Sequence, residues 1–178
     1  TFAAMAGSTL HWLARPHLLT LLFVVIFAWI LEEARAGRTR RLWLLPPLTA
    51  LWTNLHGGFF AGILLIGCYA AGEILAWLVE RDRRAAQAAL VRSKPYLWTA
   101  LGAAAATLIN PYGLKLHAHV WNFLSGSFHL RYIDEYQSTG FQNNLAQWYE
   151  PLLLLGVAAA GWCLWRRRFA QAIIVAGW

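Results

Sequence analysis

The sequence predicts an all-helical chain that crosses a bilayer several times, and three observations point that way. Apolar residues make up 59% of the 178 residues and charged ones 13%, about half the charged share of a soluble domain. The apolar residues come in runs close to the ~20 residues that span a bilayer. The charges fall in short clusters between those runs. A net charge of +7 would suit nucleic acid if it lay along one face or arm, but this spacing is a topology signal, so no nucleic-acid partner is expected.

Six apolar runs follow in order. His17 to Leu31 is closed by Glu32, Glu33 and a series of arginines. Leu42 to Thr53 is short, Phe59 to Val79 is long enough to span alone, and Pro95 to Ile109 ends at Asn110-Pro111-Tyr112-Gly113. Pro151 to Trp165 places Pro151 in a first helical turn, and Ala170 to Trp178 begins another run. The expected architecture is a transmembrane bundle of about five to six spans, a single domain over 1–178. Thr1 at one end and the apolar run stopping at Trp178 read as a piece cut at both ends. Cys68 and Cys163 lie in apolar runs without metal-ligand spacing and behave as small hydrophobes.

The segments between the runs set the orientation. Segments 33–41, 80–94 and 166–168 hold 12 of the 15 lysines and arginines. Positive charge is retained in the cytoplasm, which predicts an inner-membrane protein with these loops inside. The other segments carry all six histidines, with Asn54, Asn110, Tyr112, Asp134, Glu135, Gln137 and Glu150. Any chemistry is therefore expected on the outer face. Glu73, the one acid within a run, lies toward the inner end and is expected to snorkel or pair with a loop arginine.

Two turns carry most of the outer polarity: Thr53-Asn54-Leu55-His56-Gly57-Gly58 and Asn110-Pro111-Tyr112-Gly113. Twelve residues from Leu42 give roughly 18 Å of helix against a core of about 30 Å. Either that helix extends into the basic loop, or its outer end stops below the surface and holds Asn54 and His56 at membrane depth. Two short helices ending on one side would make a funnel open to the outside. Small residues mark expected helix contacts: Gly58 with Gly62, Gly102 with Ala106, and Gly156 with Ala160.

The outer segment 111–150 opens with an interfacial helix, with Leu114, Ala118 and Trp121 on one stripe and Leu124 beside them. His117 and His119, two apart, point in different directions on a helix and cannot chelate one ion together. No metal ligand set and no cofactor motif is found, which leaves a divalent metal open. Tyr132-Ile133-Asp134-Glu135-Tyr136-Gln137 sets paired carboxylates among aromatics, a pattern that suits a solvated loop first, and also the binding of a sugar or general-base work.

Arg15-Pro16, Trp52-Thr53-Asn54-Leu55-His56-Gly57-Gly58, Leu108-Ile109-Asn110-Pro111-Tyr112-Gly113 and Ile133-Asp134-Glu135-Tyr136-Gln137-Ser138 occur in this order. In them the chain resembles bacterial multi-pass membrane proteins of the GT-C glycosyltransferase (RgtA/B/C/D-like) type. The resemblance implies transfer of a sugar from a polyprenyl-phosphate carrier on the periplasmic face. It also implies that Asn54, His56, Asn110 and Tyr112 shape the carrier or acceptor pocket. The catalytic acid of that family lies in a first outer loop, expected ahead of this sequence, so Asp134 and Glu135 do not inherit that role. A transporter or flippase of lipid-linked saccharides, or a polymerase or ligase of them, is the alternative. A transporter would show an internal repeat, and the sequence contains none.

Overall fold

A computed structural model describes residues 17–126 and 146–177, excepting the side chains of residues 17 and 146–150. The described residues form seven α-helices and two 3-10 turns, with no strand among them. The helices are α1 (His17–Arg35), α2 (Leu45–Leu55), α3 (Phe60–Val79), α4 (Arg83–Ala106), α5 (Leu114–Ser125), α6 (Ala146–Trp165) and α7 (Phe169–Gly177). The all-helical class is as the sequence predicts. One helical stretch among the described residues, Gly57–Val79, is long and apolar enough to cross a membrane by length and composition.

Two helices differ from the sequence expectation, for the same reason. A 3-10 turn at Thr39–Leu44 runs into α2 without a break, Leu44 and Leu45 both having right-handed helical angles. Helical backbone from Thr39 to Leu55 measures about 28 Å along its axis. The helix thus extends into the basic segment, which is the first of the two alternatives above. α4 does the same: its 24 residues begin at Arg83, giving about 36 Å. Asp82 caps it by accepting from the backbone N–H groups of Arg84 and Ala85, and the Ala-, Arg- and Gln-rich stretch that follows is made of good helix formers. Pro95 sits inside this helix. Segment 80–94 is therefore mostly helix rather than loop, and short helices give no ground for a funnel. Pro151 likewise lies inside α6 rather than in its first turn, because the helix starts at Ala146.

The core is built around Trp52. Its indole is fully buried, stacks on Phe23 with ring centroids 5.0 Å apart, and meets the edge of Phe27 at 5.3 Å. α3 closes on it through Gly62, where an added Cβ would lie 2.7 Å from Trp52 Cζ3 and 2.8 Å from Phe27 Cε1. The same helix meets α7 at Gly72, where a Cβ would come within 2.5 Å of the Ala170 backbone nitrogen. Gly58 stands against Thr20, and Gly102 faces Pro46. Small residues thus mark backbone approach in α3 and α4, as expected. Gly156 has nothing within 4 Å, so its pairing with Ala160 marks no contact among the described residues.

At the opposite end of α3 the basic segments gather. Glu32 accepts from Tyr69 Oη (2.6 Å), Gln171 Nε2 (2.5 Å) and Arg35 Nη2 (2.8 Å), joining α1, α3 and α7. Burial raises its carboxyl, but these hydrogen bonds outweigh burial and hold it below the ordinary carboxylate value. Glu33 is also held low, by Arg38 first and then by Arg41. Glu73 pairs with Arg92 at 2.9 Å, the arginine pairing expected for it, although Arg92 lies on α4.

The ring contacts at Gly62 generate a paired prediction. Gly62→Ala forces two fully buried aromatic rings to move and should cost about 1–3 kcal/mol. Gly67→Ala, on the same helix with nothing within 4 Å, should stay within about 1 kcal/mol of neutral. Thermal unfolding of the two variants in detergent checks this; equal losses would contradict the close packing.

Candidate functional site

The polar turns lie at the end of α3 away from the arginines, and each is assembled from local backbone needs. His56 ends α2 in an extended conformation, and its Nδ1 lies 3.1 Å from the Gly58 N–H and 2.7 Å from Thr20 Oγ1. A backbone N–H only donates, so Nδ1 carries no proton and the neutral ring holds its proton on Nε2. Thr20 Oγ1 in turn accepts from Trp52 Nε1 at 3.2 Å. The chain of donors runs from the core indole through Thr20 to His56. The ring at the mouth of the site is thus oriented by the same tryptophan that organises the core.

Asn54 Nδ2 donates to the Ala50 carbonyl (2.8 Å) and across to the Ile109 carbonyl (2.7 Å). This bond ties the end of α2 to the turn after α4. Asn110 builds that turn: its Nδ2 donates to the carbonyls of Thr107 and Gly113, and its Oδ1 accepts from the Tyr112 N–H. Gly113 follows at φ +51°, a region that favours glycine. Tyr112 is exposed. The two turns therefore touch through Asn54, but Asn110 is occupied in building its own loop. Asp134 and Glu135, with the aromatic run around them, lie outside the described residues.

The turn launches α5, whose stripe of Leu114, Ala118 and Trp121 is exposed, while Leu124, also exposed, borders the groove described below. Leu116, Val120 and Phe123 are half-buried. His117 points inward, edge-on to Phe59 and Phe60. Its Nε2 lies 2.8 Å from Thr107 Oγ1, which itself donates to the Ala104 carbonyl, so His117 is the donor and Nε2 bears its proton. Its buried Nδ1 has no partner among the described residues. His117 and His119 do point apart, as their spacing predicts.

Between α3, α5 and α7 these elements enclose a groove of about 860 Å³. Leu64, Leu65, Val120, Phe123, Ile173 and Ile174 form its walls, and His56 and His119 supply imidazoles to its lining. No carboxylate lines it among the described residues, and no three His, Cys, Asp or Glu side chains come together there to hold a metal. Sequence reasoning found His56 but missed His119 as a lining group, and it missed the α7 wall. The signal for His119 was its position three residues beyond Leu116, on the face of α5 opposite the outward stripe. Asn110 and Tyr112 do not line this groove. Comparison with protein-family models, curated proteins and solved structures returns no match, so the chemistry rests on the groove itself.

The donor chain is open to a direct test. Thr20→Val keeps the side-chain shape and removes the hydroxyl between Trp52 and His56. It should lower stability by about 1–3 kcal/mol by leaving a buried indole N–H without an acceptor, whereas Thr20→Ser should recover most of the loss. Chemical denaturation of both variants in detergent measures the difference. Equal stabilities for the Val and Ser variants would show that the hydroxyl contributes nothing.

Proposed function

We propose that the chain belongs to a polytopic inner-membrane helix bundle that transfers a sugar from a polyprenyl-phosphate carrier on the outer face, in the manner of the GT-C glycosyltransferases it resembles. The observation that carries this reading is the groove between α3, α5 and α7: a long apolar trough with two imidazoles in its lining. An isoprenoid tail fits such walls, and its phosphate needs hydrogen-bond donors where the walls turn polar. In the transfer step an acceptor hydroxyl gives its proton to a carboxylate base outside the described residues and attacks the anomeric carbon, and the bond from that carbon to the carrier phosphate oxygen breaks. The electron pair leaves on the phosphate. Donors from His56 and His119 stabilise that departing charge beside the apolar walls. Asn54 and Asn110 act one step back, holding the turns that set His56 beside α5.

The membrane placement is supported by exposed apolar surface. On α6, Leu154, Leu155 and Val157 are 72%, 63% and 72% exposed, and on α4 Trp98 and Leu101 are 67% and 61% exposed. Patches of this extent need a covering phase. The three basic segments meet at one end of the bundle, around Arg35, Arg92 and Arg166 to Arg168, while the histidine-bearing turns occupy the other. We assign the first end to the cytoplasm and the second to the periplasm.

Two measurements test this. A photoreactive polyprenyl-phosphate analogue should label peptides of α3 and α5 in membranes holding the full-length protein. Val120→Trp, which fills the groove, should reduce labelling roughly tenfold, a loss of about 1.4 kcal/mol in binding. Labelling that ignores Val120→Trp would remove the groove as the carrier site.

The orientation is tested separately. Reporter fusions after Arg41 and Arg168 should report cytoplasm, and a fusion at Gly57 should report periplasm. A single reversed reporter would overturn the assignment of faces.

A further inference from the structure

The basic end of the molecule holds a second cavity, a cleft of about 510 Å³ lined by arginines from three distant parts of the sequence. Arg35 comes from the end of α1, Arg92 from α4, and Arg166, Arg167 and Arg168 from the turn between α6 and α7. Three of the five are matched by carboxylates: Arg35 by Glu32 at 2.8 Å, Arg92 by Glu73 at 2.9 Å and Arg167 by Glu80 at 3.1 Å. Arg166 lies 4.8 Å over the ring of Trp162, and Arg168 makes no ion pair among the described residues. Two positive charges are thus left without a carboxylate, beside three whose outer edges are exposed.

The turn that delivers them is built in an unexpected way. α6 ends with the Arg167 N–H on the Leu164 carbonyl and the Arg168 N–H on the Cys163 carbonyl, and Arg167 has φ +54°. α1 ends with the same pair of bonds, Gly37 to Ala34 and Arg38 to Glu33, but there glycine takes the left-handed position at φ +99°. Glycine is the usual residue at this place because a Cβ is disfavoured. Among described non-glycine residues Arg167 alone has positive φ, and it lines the cleft. A strained position that keeps a guanidinium is a pointer to function.

Every cation lining the cleft is an arginine, the side chain whose planar fork matches phosphate oxygens. Tyr96, Phe169 and Pro95 give the cleft apolar walls. At the same end, Trp162 and Trp165 are 52% and 74% exposed, as aromatic anchors at a membrane surface are.

We propose that this cleft is a phosphate-ester site, filled by the headgroup of an acidic phospholipid from the leaflet facing the basic end. The phosphate chemistry is independent of the sugar-transfer reading, and only the lipid source rests on the membrane placement. Arg166 and Arg168 would bind the phosphate directly, and Arg35, Arg92 and Arg167, each held by its carboxylate, would form a positively charged surround.

The test uses the full chain, purified in detergent and stripped of lipid, with its thermal midpoint followed on titration. The probes are micelles carrying phosphatidylglycerol, micelles carrying phosphatidylcholine, and inorganic phosphate. Phosphatidylglycerol should raise the midpoint at roughly tenfold lower concentration than phosphatidylcholine. Arg166→Gln with Arg168→Gln should abolish that preference, and Arg40→Gln with Arg84→Gln, basic residues outside the cleft, should keep it. Arg167→Gly should weaken the preference without lowering the ligand-free midpoint, a combination that a merely structural arginine would not produce. A shift given by inorganic phosphate alone, and lost in the Arg166/Arg168 variant, would keep the site and assign it to a soluble phosphate. Retention of the full preference in that variant, or no response to either phosphatidylglycerol or phosphate, would overturn the proposal.

Discussion

Burial of the Trp52 indole is the constraint on which the other features depend. Phe23 and Phe27 of α1 enclose it on one side, and Gly62 lets α3 come close enough to close the other. An indole sealed this way brings its N–H into the interior, where an unmatched donor is costly. Thr20 meets that need by accepting from the indole, and its own hydroxyl hydrogen goes to His56 Nδ1. Packing and site geometry are thus one problem here. The ring lining the groove is oriented because the core had a polar atom to satisfy, and a change that loosens the indole alters the imidazole as well.

The all-helical class and the outward stripe of α5 could be read from the sequence, because both rest on hydrophobic periodicity and local spacing. The helix lengths could not. Apolar runs mark where a helix is buried, not where its backbone hydrogen bonding ends. Good helix formers with an Asp82 cap carry α4 well into a charged stretch, and Thr39–Leu44 does the same for α2. Asn54, His56 and Asn110 were found because turns need such residues. That same reason makes Asn110 a turn builder, its amide being spent on Thr107 and Gly113. His119 was legible only as a residue on the face of α5 away from the exposed stripe, and the α7 wall was beyond sequence reasoning, since a groove between helices distant in sequence leaves no spacing to detect. Convergence of arginines from α1, α4 and the α6–α7 turn was hidden for the same reason, although their common side could be inferred from charge.

The two ends of α3 have opposite chemistry. At one, histidines and amides surround an apolar trough; at the other, carboxylates sit among guanidinium groups. Gly62 and Gly72 bring α3 close to its neighbours at two levels, so the helix separating the two regions is itself held tightly. α7 contributes to both, with Ile173 and Ile174 in the groove and Ala170 and Gln171 in the cleft.

The order of the helices along the chain bears on how the molecule is made. Synthesis delivers the N-terminal side first, and folding follows in that order. Residues for the indole core, all within α1 to α3, are in hand before the α6–α7 hairpin exists. Arg35 and Arg92 then wait at a half-built edge until Arg166, Arg167 and Arg168 arrive with that hairpin and Ala170 seats against Gly72. The arginine cleft therefore forms after the indole core, and only once α6 and α7 have docked. A ligand of the cleft would meet molecules whose α6–α7 hairpin is in place, so binding there would report that docking.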